Sequence, residues 1–363
     1  MTNEMHEKKT LVVATTYLCT DGLTEVLIRI AESIHDQYKV DFALGAGAEE
    51  DIITKLQEYG TVYRLPDRKR HPQKYSRELT GLTGNEAYDI VHIHGNSATM
   101  ALDLTGCLQV KRRITHCHNQ ARQPMVKKAV MGTMMNRLVT DPVACSQSAG
   151  KALYTKPFTV IRNGINTERF QFSDRIRQET RAEYGLQNAF AVGHIGRFSE
   201  QKNHERLIRI FEKVLMRQPK ARLLLCGGGE LEGRIREIVQ DRRLEDRILF
   251  AGVVSNPEKY LMAMDVLVLP SLFEGLPLVG VEAQATGLPC VFADTITEEA
   301  AILPEVEFLP LDETDDRWAE VICKDRKTHR EAAAKQVEEA GYGMDTVREQ
   351  IRKLYRSAWS END

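Results

Sequence analysis

The sequence predicts an α/β chain of two domains, each a parallel sheet wound with helices, on three observations. Short apolar runs alternate with stretches of helical periodicity along most of the chain, which is the pattern of βαβ units. The alternation breaks once, near the middle, at the polar and poorly periodic NTERFQFSDR. At 363 residues the chain also exceeds one compact unit of ordinary size, so two cores are expected.

Taken in order, the first series begins with TLVVAT from Thr10, a helix near Leu23 to His35, KVDFAL, and a helix near Glu49 to Tyr59. It continues through TVYRL, DIVHIHG, RRITHCH and PVACS to FTVIRNGIN, Phe158 to Asn166. A linker is placed near Asn163 to Arg175. A second series runs through AFAVGHIGRF, ARLLLCGGG, RILFAGV, DVLVLPS and PCVFAD, each followed by a helical stretch. The last helix, near Met344 to Trp359, carries Val347, Ile351, Leu354, Tyr355 and Ala358 on one stripe. The expected domains are 1–165, 166–343 and a terminal helix, 344–363. Two similar halves of repeated βα units imply facing Rossmann-like domains with the ligand in the cleft.

Charge and cysteines narrow the classes. Lys plus Arg is 49 against Asp plus Glu 52, a formal net charge of −3, so the global balance gives no support to a nucleic-acid partner. The seven cysteines are scattered singly without a C-x-x-C pair, as in a reduced cytoplasmic protein. MTNEMHEKKT lacks a signal-peptide core, and no apolar run has bilayer length. A cytoplasmic protein, at most peripheral on the inner face of the membrane, is expected.

The most informative stretch is PSLFEGLPLVGVEAQATGLP, Pro270 to Pro289. DVLVL before it reads as a parallel strand buried on both faces. Pro277 is expected in the first turn of a helix running from Leu278 to about Thr286, with Gly287 and Pro289 ending it. The N–H groups of Gly275, Leu276 and Leu278 then face an anion such as a diphosphate. Glu274 stands beside that anion and Glu282 about a turn into the helix. Two carboxylates near a phosphate make sense when they bind hydroxyls, and a sugar nucleotide has hydroxyls on either side of its diphosphate. The alternative, two solvated surface charges, is the commonest fate of glutamate. GRFSEQKN adds Arg197 just after a strand and Lys202 five residues on. A guanidinium fork and a movable ammonium suit a departing nucleoside diphosphate.

This stretch resembles the Glu-(seven residues)-Glu signature of glycosyltransferase family 4, retaining enzymes of the GT-B fold that use nucleotide sugars. PSLFEGLPLVGVEAQATGLPC is most similar to the branch that builds capsular and exopolysaccharides. The resemblance implies that Glu274 binds donor-sugar hydroxyls, that Glu282 binds the ribose, and that Arg197 and Lys202 hold the diphosphate without a metal ion or cofactor. CGGGELEGRI, with Gly227 and Gly228, lies against the donor in the family, and RILFAGVVSNPEKY binds the base through backbone groups around Gly252, Val253 and Val254. The terminal helix crosses back onto the first domain.

The first half offers looser signals. TTYLCTDGLTEV has a single glycine, Gly22, where the family is usually richer; it either admits a phosphate or acceptor or simply opens the helix. GAGAEE lacks a third glycine and follows the second strand, so a nicotinamide site is not expected. His92 and His94 in VHIHGN, and His116 and His118 in THCHNQ, pair on strand faces. They read as buried hydrogen-bonded histidines, or as a zinc or manganese site, though no carboxylate-rich motif accompanies them. The resemblance gives a third reading, in which VHIHG and RxxHxHN place a histidine near the reaction centre. His118 is preferred over His116, with Gly22, His94 and His116 on the acceptor side. QARQPMVKKAVMGTMMNRL sets Arg122, Lys127, Lys128 and Arg137 among methionines: either a basic amphipathic helix on an anionic membrane surface or ordinary core. RLPDRKRHPQK is a second basic run, ordinarily a solvated loop.

The expected function is therefore retaining transfer of a sugar, from a UDP-sugar by resemblance, to a growing lipid-linked polysaccharide acceptor. Two other classes remain open at the level of sequence: a metal-dependent hydrolase on His92, His94, His116 and His118, and a catalytically silent sugar-nucleotide-binding protein.

Overall fold

The computed structural model describes residues 8–19, 22–118, 125–326 and 329–356, which fall into two compact units. One unit runs to Gly164 and takes up the chain again from Asp345; the other is Ile165–Met344.

In the first unit β1 (Lys9–Ala14), α1 (Gly22–Ile34), β2 (Lys39–Leu44), α2 (Glu50–Gln57), β3 (Val62–Arg64), α3 (Pro72–Asn85) and β4 (Ile90–Gly95) follow one another. Then come α4 (Met100–Thr105), β5 (Arg112–Cys117), α5 (Met125–Leu138), β6 (Asp141–Ala144), α6 (Gln147–Leu153) and β7 (Thr159–Val160). The strands are parallel in the order β3-β2-β1-β4-β5-β6-β7. Leu11 to Ala14 are essentially inaccessible, as a central strand covered by helices on both faces requires. The order reverses between β1 and β4, where doubly wound sheets bind ligands beyond the strand ends. FTVIRNGIN yields only the two-residue β7, because an edge strand has a ladder on one side alone.

The second unit contains α7 (Asp174–Glu183), β8 (Ala191–Ile195), α8 (His204–Arg217), β9 (Arg222–Cys226), α9 (Glu232–Asp241) and β10 (Ile248–Gly252). It continues with α10 (Pro257–Ala263), β11 (Val266–Leu269), α11 (Leu278–Ala285), β12 (Cys290–Ala293), β13 (Val306–Leu309), α12 (Asp315–Ile322) and α13 (Arg330–Val337). Its parallel strands run β10-β9-β8-β11-β12-β13, with the reversal between β8 and β11. β13 has no counterpart in the sequence reading. Its four residues include Glu307, which pairs with Lys324 and Arg326 at the sheet edge and breaks the apolar run.

The last described helix, α14 (Met344–Arg356), belongs physically to the first unit. Val347, Ile351, Leu354 and Tyr355 enter the core formed by Leu27, Ile30, Val40 and Ile114. The end of the helix is fastened too: Tyr38 Oη donates to Tyr355 O at 3.1 Å, and Arg112 donates to the carbonyls of Tyr355 and Leu354. A cationic side chain thus satisfies carbonyls that a helix C-terminus leaves open. Ala358, placed on the same stripe from sequence, lies outside the described residues.

Candidate active site

In the second unit the loops after β8, β9, β10 and β11 are tied into one ledge. Gly196 N–H donates to Cys226 O (2.9 Å), Phe198 N–H to Gly228 O (2.9 Å) and Gly227 N–H to Gly252 O (2.7 Å). Gly227 adopts φ +140°, and a Cβ there would stand 2.1 Å from Gly196 O, so only glycine lets the β8 and β9 loops approach this closely. Exposed Val253 flanks Gly228, with half-buried Val254 following it.

The β8 and β11 loops are joined as firmly. Leu272 N–H donates to Gln201 O (2.8 Å), Gln201 Nε2 to Phe273 O (3.0 Å) and Asn203 Nδ2 to Pro270 O (3.1 Å). Asn203 sits in the left-handed region at φ 55°, a conformation its short polar side chain tolerates. Gln201 and Asn203 had no role in the sequence reading, although the SEQKN turn contains both.

This ledge brings Lys202 onto Glu274: Nζ donates to Oε1 at 2.5 Å, with the side chains 16% and 8% exposed. Arg197, on the same loop as Lys202, is exposed and pairs with Glu230 through Nε at 3.0 Å. Gly275, Leu276 and Pro277 are buried beside Glu274. Pro277 stands one position earlier than expected, at the N-cap of α11 with φ −68° and ψ 115°. Its carbonyl takes the N–H groups of Gly280 (3.0 Å) and Val281 (3.3 Å), so the extended proline precedes the first turn instead of forming it. Leu278 is the first residue of α11 and half-buried Glu282 lies one turn in. The result is a helix N-terminus, two cations and a buried carboxylate at a sheet's switch point, chemistry suited to a ligand with a phosphate and hydroxyls. Beneath it, burial pushes His204 down to about 4 and His194 well below the imidazole range.

The first unit gathers all four sequence-predicted histidines. His94 pairs with His116 in the β4–β5 register, and the rings of His92, His94, His116 and His118 stack on one sheet face. His94 Nδ1 meets His118 Nε2 at 2.8 Å, and His92 Nδ1 meets Tyr355 Oη at 2.9 Å. Burial holds His92, His94 and His116 well below the usual imidazole range and His118 at about 4. His118 is half-buried just past β5, whereas His116 is 2% exposed within it. Gly22 is the first residue of α1.

The basic methionine stretch forms α5, but its apolar residues run round the helix instead of along one face, which corrects the amphipathic expectation. Among its described side chains Met135 is core, while Val130 (68% exposed), Met134 and Arg137 face out. Arg122 and the side chains of Lys127 and Lys128 lie outside the described residues. No helix among the described residues is long and apolar enough to cross a membrane.

Comparison with known proteins converges on one family. The family described as Glycosyltransferase Family 4 matches residues 20–169, and that described as Glycosyl transferases group 1 matches residues 176–322. A Bacillus subtilis chain named as the glycosyltransferase EpsF is 32% identical over 282 residues, 73% of each chain. The UDP-Gal:alpha-D-GlcNAc-diphosphoundecaprenol alpha-1,3-galactosyltransferase of Escherichia coli is 31% identical over 235 residues, 60% of each. Among solved structures, HepE of Anabaena in complex with UDP matches at TM-score 0.80 and 20% identity over 96% of this chain and all of that one. WaaG, a glycosyltransferase of lipopolysaccharide biosynthesis, matches at TM-score 0.70 and 13% identity over 97% and 96%. At such identities the structural likeness is one of fold. The hydrolase class therefore gives way: the chain belongs to glycosyltransferase family 4 and is a glycosyltransferase with two Rossmann-like domains of the GT-B type.

Proposed function

We propose that the protein transfers a sugar from a UDP-sugar, with retention of anomeric configuration, to a lipid-linked saccharide acceptor in polysaccharide assembly. The observation that carries the donor side is the Lys202–Glu274 pair at the switch point of the second sheet, with Arg197 on the same loop. Arg197 and Lys202 take the diphosphate and stabilise its growing charge as the glycosidic bond breaks, a role for which two fixed cations suffice without a divalent ion. Glu274 accepts hydrogen bonds from donor-sugar hydroxyls and Glu282 from the ribose. Backbone groups of Gly227, Gly228, Gly275, Leu276 and Leu278 line the phosphates, and those of Val253 and Val254 the base. On the acceptor side the reading assigns His118, with His94, His116 and Gly22 around it.

UDP is favoured because HepE is described in complex with UDP and with UDP-glucose. The lipid-linked acceptor follows the named activity of the Escherichia coli relative. A cytoplasmic site of action, peripheral at the inner membrane face, fits such an acceptor. The test is an assay of purified protein against a panel of nucleotide sugars, with lipid-linked acceptors and with water, and anomeric analysis of the product by NMR. Transfer with retained configuration and no requirement for added Mg²⁺ or Mn²⁺ is expected. Inversion, dependence on added metal, or hydrolysis alone overturns the reading. Glu282→Gln should chiefly weaken UDP binding, while Glu274→Gln should slow transfer and alter the choice among donor sugars.

A further inference from the structure

The histidine stack of the first unit has more unpaired nitrogens than a buried core accommodates. His92, His94 and His116 are each at most 2% exposed. Their ring centroids lie 4.1 Å apart (His92–His94), 5.3 Å (His94–His116) and 5.5 Å (His92–His116). One nitrogen of His92 is taken by Tyr355 and one of His94 by His118. His92 Nε2 and His94 Nε2 meet no hydrogen-bond partner among the described residues, and the backbone of Ile161 can take only one nitrogen of His116, which leaves its other nitrogen open. Buried polar atoms are ordinarily paired, so several orphans in one place call for a ligand.

The hydrogen bonds made by His92 and His94 are informative. With Nδ1–H donating to Tyr355 Oη, His92 turns the lone pair of Nε2 inward. With Nδ1–H donating to His118 Nε2, His94 does the same. Fixing the tautomer and ring plane through the remote nitrogen is what the outer partners of metal-bound histidines do. One nitrogen from each of His92, His94 and His116 can be chosen so that all lie within 4.8 Å of one another. A tetrahedral zinc ion at about 2.0–2.1 Å from each imidazole would draw them to about 3.4 Å, a modest closure by ring rotation.

We infer that His92, His94 and His116 form a three-imidazole site for a divalent transition ion of the zinc class, oriented by Tyr355 and His118. All-imidazole donors suit zinc, cobalt and nickel and offer nothing to magnesium or calcium. The ion links β4 to β5 and, through Tyr355, fastens α14 to the same sheet face. It is distinct from the donor diphosphate, whose proposed cations are Arg197 and Lys202 in the other unit.

The test uses full-length protein without a histidine tag. Metal content is measured by mass spectrometry after dialysis, and chelator-treated protein is titrated with Co²⁺ while its visible ligand-field bands are recorded. One equivalent of metal and the intense bands of tetrahedral cobalt are expected. His116→Asn should abolish the bands. Tyr355→Phe, which removes only the orienting hydroxyl, should weaken cobalt binding about 10-fold or more. Far-UV circular dichroism establishes that both variants fold; if His116→Asn does not, Tyr355→Phe and His94→Asn carry the test. Wild-type protein that takes up no stoichiometric cobalt or zinc overturns the inference, as does binding indifferent to all three substitutions.

Discussion

Replacing Lys202 by methionine removes a charge while keeping most of the side chain's length, and the structure sets what that should cost. The carboxylate of Glu274 is 8% exposed and bonds to Lys202 Nζ, itself 16% exposed. Deleting one partner of such a charge-assisted bond costs about 1.5–3 kcal/mol, less than the 3–5 of a wholly buried pair because some solvent still reaches both ends. About 2 kcal/mol in a unit of this size lowers the melting temperature by roughly 4–8 °C. Transfer should fall about 10²–10³-fold in kcat, the usual cost of removing one group that stabilises developing charge. Arg197→Ala is the control. Arg197 is 62% exposed and its pair with Glu230 contributes about 0–1 kcal/mol, so activity should drop with the melting temperature almost unmoved. The double variant Lys202→Met with Glu274→Gln should recover much of the stability and none of the activity. Differential scanning calorimetry with initial-rate assays decides it. A coupling below about 0.5 kcal/mol in the double-mutant cycle would refute the view that this pair is held together in the folded protein.

Further expectations follow from the same geometry. Gly227→Ala drives a Cβ to 2.1 Å from Gly196 O at φ +140°, so it should cost at least about 2 kcal/mol and weaken UDP binding. Gly228→Ala meets only side-chain atoms, Val253 Cγ2 at 3.0 Å and Glu232 Oε2 at 3.8 Å, and should be nearly neutral for stability; equal melting shifts would count against this account of the ledge. His204 has its pKa lowered to about 4 by burial, against about 6.5 in an unfolded chain. The unfolded state therefore binds a proton that the folded state refuses, and stability falls as pH drops from about 6.5 towards 4, by up to about 1.4 kcal/mol per pH unit. His194, held down by the same burial, adds to the slope over this window, so urea unfolding followed through Trp318 in a Trp359→Phe background should show a combined slope that His204→Gln reduces; a slope the substitution leaves unchanged contradicts it. For the membrane-facing reading of α5, Lys127→Glu with Lys128→Glu should reduce sedimentation with anionic vesicles and leave UDP binding intact. Wild-type protein that ignores such vesicles at low salt removes that reading.

Much of the second unit was legible because its motifs are local. The series from AFAVGHIGRF to PCVFAD names β8 to β12 in order, and Leu278 opens α11 as its proline and glycine signals indicate. β13 escaped because a strand of four residues with a charged centre has no period to detect. Pro277 was misplaced by one residue, since the sequence signals a proline near a helix start without fixing its ψ. In the first unit periodicity found the strands, while for α5 the sequence left a membrane face and ordinary core both open, and its described methionines divide between core at Met135 and surface at Met134. Contacts between distant segments were the least visible. Nothing in HIHG announces that Tyr355, 263 positions away from His92, caps its ring.

The pairing of Lys202 with Glu274 changes how the donor site must work. From sequence the two have separate tasks, the lysine on phosphate and the glutamate on sugar. In the folded chain the β8 and β11 loops are bonded to each other at Gln201 and Asn203, so the two side chains meet over a short span. On the proposed function, a bound donor would set its sugar and diphosphate against one shared ion pair, so that whatever shifts one end shifts the other. Sugar choice and leaving-group stabilisation are then coupled quantities. Glu274→Gln frees Lys202 to move towards the phosphate and should tighten free UDP even as it slows transfer. Glu282→Gln, one turn along α11, has no such lever and should weaken UDP. Opposite signs for the two variants in a calorimetric UDP titration follow from the pair; matching losses would return Glu274 to an independent role.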